Sequence, residues 1–272
     1  MTRVLITGVR GKTGVPLAEL LAARPGVDVL GGSSDPSSIT LDGITPTAFS
    51  WDDPSGWAAA IDDVDAVYLV RPDRADAPDL VAALLAETPR DARIVVLSEW
   101  DADSFAPGSW ALRVERTVRD SGHTWTMLRP SWFMQVFTDQ RFYRDEIAEH
   151  GRLPFAGGGA TVAWIDARDI AAVAERALLD EGHDGRIYEL SGPEAITLPR
   201  TAEMLSSALG RPVSHVEITI ADAVADLPEG FERDVFVWTL RRVHDGVFSG
   251  VTDAVEQVTG RPARTLARFL TN

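Results

Sequence analysis

The chain has no cysteine among its 272 residues, so disulfides, thiolate metal sites and cysteine nucleophiles are excluded from the start. Positive charge is also in short supply: 26 lysines and arginines face 41 aspartates and glutamates, a formal net charge of −15 at pH 7. That balance speaks against nucleic acid or an anionic membrane surface as a partner, because both would repel the chain. No apolar run reaches the roughly 18 residues that a membrane-crossing helix needs. The histidines, at 123, 150, 183, 215 and 244, form no pair with metal-ligand spacing beside a carboxylate, so no metal is expected. Tyrosine is scarce as well, with 68, 143 and 188 only.

The remainder has an ordinary soluble, globular composition, 45% hydrophobic and 25% charged. Its length suits one large domain or a domain with a small lobe. The N-terminus enters a strand without the basic and apolar regions of a signal peptide, and the expected location is the cytoplasm.

The chain is organised around its first fifteen residues. Arg3 to Thr7 is a β-branched and apolar run suited to a buried parallel strand, and glycines at 8, 11 and 14 lead into an amphipathic helix over 15–23. Gly8 lets the chain leave the strand sharply, Gly11 clears the approach of a pyrophosphate, and Gly14 lets the helix sit close on the sheet. The helix N-terminus then offers free N–H groups and the positive end of its dipole to phosphates. Gly11-Lys12-Thr13 imitates the end of a triphosphate-binding loop, but the earlier glycine of that motif would fall at Ile6, so that reading fails.

Further strands are expected at 27–33, 45–51, 66–70, 93–97 and 125–129, alternating with helices, which implies parallel pairing in a doubly wound α/β sheet. The second strand ends in Gly31-Gly32-Ser33-Ser34, with Asp35 beyond. Serines there, with Arg10 in the glycine turn, suit the 2′-phosphate of NADP(H); a carboxylate such as Asp35 would suit NAD(H). NADP(H) is therefore the expected cofactor. After Pro130 comes an aromatic run, Ser131-Trp-Phe-Met-Gln-Val-Phe137, leading into a helix to about 150; short strands and helices follow. The expected organisation is a dinucleotide-binding Rossmann domain over 1–150, with 151–272 supplying the rest of the sheet and a small C-terminal α+β substrate lobe.

With these residues in view, the chain resembles the NmrA-like branch of the atypical short-chain dehydrogenase/reductases. The resemblance is carried by Val4 to Gly14, Asp65 to Val70, Leu128 to Gln135, Ile165 to Ala171 and Tyr188 to Pro193. Its wording is most similar to the bacterial group akin to the ergot-alkaloid (festuclavine dehydrogenase-type) reductases, which implies NADPH-dependent reduction of an iminium carbon. Gly8, Arg10, Gly11, Lys12, Thr13, Gly14, Ser33, Ser34, Val70, Arg71, Ser98, Pro130 and Phe133 are the expected cofactor contacts.

One departure limits the chemistry. Typical members of the wider superfamily use a serine, a tyrosine and a lysine four residues after it. Here Arg116 looks like the lysine's counterpart and Leu112 stands in the tyrosine's place, while Ser98 remains at the fifth strand. Reducing a carbonyl benefits from a positioned acid, whereas an imine or iminium, a quinone or an enone needs less. Trp100, Trp132, Phe133 and Met134 are expected to form a wall for a flat, aromatic or alkaloid-like substrate, with cation–π attraction available to an iminium. Glu99 could pair with a cationic substrate or be a solvated carboxylate. Ser98 and Tyr143 are the candidates for a proton donor. The expectation is an NADP(H)-dependent reductase of a small molecule, a monomer or homodimer. The alternatives are a non-catalytic dinucleotide-binding redox sensor and a biosynthetic isomerase or cyclase on the same fold.

Overall fold

A computed structural model describes residues 1–106 and 108–271. By contact the chain divides into two compact units, one of Met1–Pro130 with Ala167–Glu189, the other of Ser131–Asp166 with the chain from Leu190 on. The second segment of the first unit opens with α6, Ala167–Leu179, whose buried residues Ile170, Ala171, Val173, Ala174, Ala177 and Leu178 repeat at helical spacing.

The first unit carries a seven-stranded sheet in the order β3-β2-β1-β4-β5-β6-β9. The strands are β1 Thr2–Ile6, β2 Val27–Ser33, β3 Ile44–Ala48, β4 Ala66–Val70, β5 Arg93–Leu97, β6 Trp125–Pro130 and β9 Arg186–Leu190. β1 pairs parallel with β2 on one side and β4 on the other, so the strand order reverses at β1. Residues 4–6, 66–69 and 94–96 are all buried, the continuous apolar reading of strands covered on both faces. The helices are α1 Gly14–Ala22, α2 Trp57–Ala60, α3 Ala77–Glu87 and α4 Trp110–Asp120, with α1 beside α6 and α3 beside α4. Right-handed crossovers leading to β2 in one direction and to β5 in the other put these two helix pairs on opposite faces.

The third strand stops at Ala48 rather than Trp51. Phe49, Trp51 and Trp57 gather there into an edge-on and stacked cluster with centroids 5.1 to 6.1 Å apart. Trp51 Nε1 donates to Val70 O at 3.2 Å and Trp57 Nε1 to Ser50 O at 2.8 Å, so ring packing ends the pairing.

In the second unit, β7 Arg152–Phe155 pairs parallel with β11 Ser214–Glu217, and β8 Thr161–Val162 antiparallel with β10 Ile196–Thr197. Its helices are α5 Arg144–His150, α7 Leu198–Leu209, α8 Ile220–Ala223, α9 Phe231–His244, α10 Ala254–Thr259 and α11 Leu266–Leu270. The helix expected straight after the aromatic run is broken: a 3₁₀ turn over Met134–Phe137 precedes α5. Beyond β8, residues 133 and 165 meet in a single parallel bridge. No described helix is long and apolar enough to cross a membrane.

Candidate functional site

The glycine turn lies at the carboxyl end of β1, where the strand order reverses, and that is where open α/β sheets bind ligands. Thr7 ties the ends of β1 and β4 together: its hydroxyl accepts from Val70 N at 2.9 Å, and its own N–H donates to Tyr68 O at 3.1 Å. A Cβ on Gly8 would meet Val70 Cβ at 3.1 Å, and one on Gly14 would lie 2.1 Å from Gly8 O and 2.8 Å from Val9 Cα. Gly14 is therefore required for α1 to close on the turn, since a backbone oxygen cannot yield as a flexible side chain can. Gly11 N donates back to Gly8 O at 3.0 Å, which folds the turn.

The N–H groups of Arg10, Thr13 and Gly14 have no acceptor among the described residues, and residue 16 in the first turn is proline, with no N–H to satisfy. Unclaimed donors converging at the start of a nine-residue helix form a cradle for an anionic group, and this fits the pyrophosphate of a dinucleotide. The Arg10 guanidinium is exposed and has no partner among the described residues. Lys12, half-buried in the same turn, is the only lysine of the chain. Beneath the turn Tyr68 is buried, which pushes its phenol pKa up, and only Thr13 opposes the shift.

At the end of β2, Ser33 is buried, its hydroxyl donating to Asp35 O at 3.0 Å and accepting from Asp35 N at 3.1 Å. Ser34 and Asp35 are exposed, and the Asp35 carboxylate accepts from Ser37 Oγ at 2.5 Å. The Ser33 hydroxyl therefore shapes this turn, and the side chain that projects beside it is that of Ser34.

At the end of β4, Val70 covers Gly8 while Arg71 turns to its own neighbours. The guanidinium lies 4.2 Å over the Trp110 ring, pairs with Asp73 at 2.7 Å and with Glu99 at 2.5 Å, and is 8% exposed. Glu99 is thus neither a solvated carboxylate nor a lone charge awaiting a cationic substrate, because Arg71 already balances it.

The carboxyl ends of β5 and β6 hold a buried polar network that sequence reasoning missed. Ser98 Oγ donates to Glu115 Oε1 at 2.5 Å. Arg129 donates from Nε to Glu115 Oε1 at 2.9 Å and from Nη2 to Oε2 at 2.7 Å, and Arg119 Nη2 adds a contact to Oε2 at 3.0 Å. The same Arg129 holds Asp103 with two bonds of 2.8 and 2.9 Å and Glu189 with one of 3.1 Å. Burial would depress the Arg129 pKa, but its hydrogen bonds to Glu115 and Asp103 outweigh this and hold it above the ordinary value. Asp103 is held below the usual carboxylate range by its hydrogen bonds to Arg129, and Glu189 is raised by burial.

The helix residue that faces Ser98 is therefore Glu115 and not Arg116, which is exposed on the outer side of α4. One step along a helix turns a side chain by about 100°, which separates the two. Leu112, in the tyrosine's place, is buried apolar core. A signal was present: position 115 follows 111 and precedes 118 on the buried stripe of α4, and a charge there requires a buried partner.

The aromatic residues expected to line a substrate wall sit as follows. Trp100, in the first unit, is 7% exposed, and Pro130 is buried at the end of β6. In the second unit Trp132 is half-buried and packs on Phe155, Trp164 and Phe248 with centroids 5.2 to 6.3 Å apart. Phe133 is half-buried and Met134 is 1% exposed. Tyr143, at the start of α5, leans on Phe155 at 5.4 Å, and burial raises its phenol pKa. Tyr188 is hydrogen-bonded to His183 Nδ1 at 2.8 Å. Among the described residues no group of acidic or histidine side chains is arranged to hold a metal.

A doubly wound sheet with a glycine-built anion cradle at the point where its strand order reverses has the architecture of a dinucleotide-binding protein. The chain belongs to the NAD(P)H-binding family, whose model matches residues 8–181. It is 33% identical to an NAD(P)H azoreductase of Xenophilus azovorans over 98% of this chain and 96% of that protein. It is 29% identical to an agroclavine dehydrogenase of Claviceps fusiformis over 99% and 96% of the two chains. Among solved structures, an NADPH-dependent quinone oxidoreductase of Escherichia coli complexed with NADPH has the same fold, with a TM-score of 0.82, 23% identity and 98% of each chain covered.

Proposed function

We propose that this chain is an NADPH-preferring reductase of a flat, conjugated acceptor, an imine or iminium, a quinone or an enone, that it reduces without a tyrosine acid. The coarser part, an NAD(P)H-dependent oxidoreductase, rests on family membership. The finer part rests on one observation: where a tyrosine acid would stand there is Leu112, and the hydrogen of Ser98 is committed to Glu115. The N–H groups of Arg10, Thr13 and Gly14 would hold the pyrophosphate, and Arg10 with Ser34 would take the 2′-phosphate. Val70, Ser98 and Pro130 would border the nicotinamide, which supplies hydride when the cofactor is bound.

An acceptor suited to such a site must tolerate the lack of a placed acid. An iminium is already cationic and becomes a neutral amine on reduction; a quinone spreads charge over two oxygens. For both, orientation can supply most of the catalysis. The named relatives act on conjugated or alkaloid molecules, an azo compound, agroclavine and a quinone, which supports this class of acceptor.

The test is nicotinamide absorbance decay with a panel of quinones, cyclic imines, azo dyes and enones, run with NADPH and NADH on the intact chain and on Arg10→Ser. Turnover preferring NADPH, with the preference reduced about tenfold in the variant, is the expected result. Tight NADPH binding without decay for any acceptor would instead favour a redox sensor or an isomerase.

A further inference from the structure

We propose that Glu115 is a positioning residue that fixes Ser98 as a hydrogen-bond acceptor for a donor group on the nicotinamide riboside half of the bound dinucleotide. The inference rests on the reductase reading above, since it assumes that the dinucleotide runs from the glycine turn along the carboxyl edge of the sheet.

The geometry of the network leaves Ser98 one orientation. Glu115 is 0% exposed, and its two oxygens receive four donors: Ser98 Oγ, Arg129 Nε, Arg129 Nη2 and Arg119 Nη2. A carboxylate held between two guanidiniums only accepts, so the serine hydrogen must point inward to Glu115. Arg129 in turn spends all five of its N–H groups, two on Glu115, two on Asp103 and one on Glu189. With neither partner free to turn, rotating the hydroxyl hydrogen toward the crevice would strip the buried Glu115 carboxylate of one of its four donors and leave Arg129 Nε alone on Oε1.

The oxygen of Ser98 is the part left over. Nothing among the described residues donates to it, although the residue is only 7% exposed. Its position is set from both sides: its N–H donates to Leu128 O at 2.8 Å, and the loop that follows turns through Asp101 in the left-handed region at φ 52°. That strained residue is held by its N–H donating to Glu189 Oε2 at 3.1 Å, so Arg129 anchors both the serine and the loop after it. β5 lies two strands from β1, roughly 10 Å across the sheet. A dinucleotide whose pyrophosphate sits on the glycine turn would bring its nicotinamide ribose or carboxamide, both rich in donors, to this oxygen. Ser98 is then an acceptor for the cofactor rather than an acid for the substrate.

The experiment is a calorimetric titration of the intact chain with NADPH and with 2′,5′-ADP, which carries the adenosine half alone. Ser98→Ala removes the acceptor. Glu115→Gln offers an amide that can donate to the serine oxygen and so reverse the hydroxyl. Each variant is expected to weaken NADPH binding about three- to tenfold, the loss of one hydrogen bond, with 2′,5′-ADP unchanged, while Ser98→Thr retains wild-type affinity. If Glu115→Gln fails to fold by thermal melt, Ser98→Ala and Ser98→Thr decide alone. Unchanged NADPH affinity in Ser98→Ala, or equal losses for both ligands, overturns the inference while the reductase reading stands. A folded wild-type chain that binds neither ligand overturns that reading first.

Discussion

The glycine turn after β1 and the charged network beneath the ends of β5 and β6 border the same edge of one sheet and are built in opposite ways. The turn is made of backbone: Gly14 is fixed by an oxygen that a Cβ would approach to 2.1 Å, and the donors it presents are N–H groups. The network is made of side chains from positions 98, 103, 115, 129 and 189, drawn from the segment after β5, α4, β6 and β9. A backbone site tolerates any side chain that keeps the path of the chain. A side-chain site with every donor spent tolerates almost none.

The sharpest way to test this contrast is to break the network at its centre. Arg129→Met leaves the Glu115 carboxylate buried without its main partner, and removing one side of a buried pair typically destabilises by about 3–5 kcal/mol. Urea unfolding should show that loss, and adding Glu115→Leu should recover much of it, because an apolar pair needs no partner. An Arg129→Met chain as stable as the wild type would mean that the network does not hold this edge.

Gly14→Ala should cost less stability, about 1–3 kcal/mol of overpacking, yet remove most NADPH affinity by pushing α1 off the turn. Thermal melts and a titration on the same sample separate the two effects. Retained affinity would show that α1 need not sit where it does.

The smallest effect belongs to Asp103. Arg129 holds its carboxyl pKa below the ordinary value of about 3.9, so the pair contributes stability above that value. That contribution drains away as the pH falls through the depressed folded-state value. In Asp103→Asn the loss of stability below about pH 4 should therefore be shallower than in the wild type. Exposure of the Asp103 side chain keeps the difference small. Melting temperatures measured from pH 6 down to about 2.5 check it, and parallel curves would contradict the assignment.

The same contrast explains what could be read from the chain in advance. Strand, glycine spacing and helix lie within fifteen consecutive residues, so the turn and the parallel sheet around it were legible in the sequence. Glu115 and Arg129 lie 14 residues apart on different elements, and their meeting depends on how α4 is rotated against β6. Glu115 and Arg116 are neighbours in the chain, yet on the helix one lies in the core and the other in solvent. The commitment of Arg71 to Glu99 and Trp110 was equally hidden, because it joins three segments that only the folded sheet brings together. The broken helix after Phe133 shows a related limit, since an aromatic-rich run can be packed as irregular chain as readily as helix.

The most direct test of the whole account is a calorimetric titration of the intact wild-type chain with NADPH beside NADH. Saturable one-to-one binding that is tighter for NADPH is the result predicted by the turn, by Arg10 and by the N–H groups that have no acceptor among the described residues. A folded chain that takes up neither nucleotide would contradict the reading of Gly8 to Gly14, and with it the reductase built around that turn.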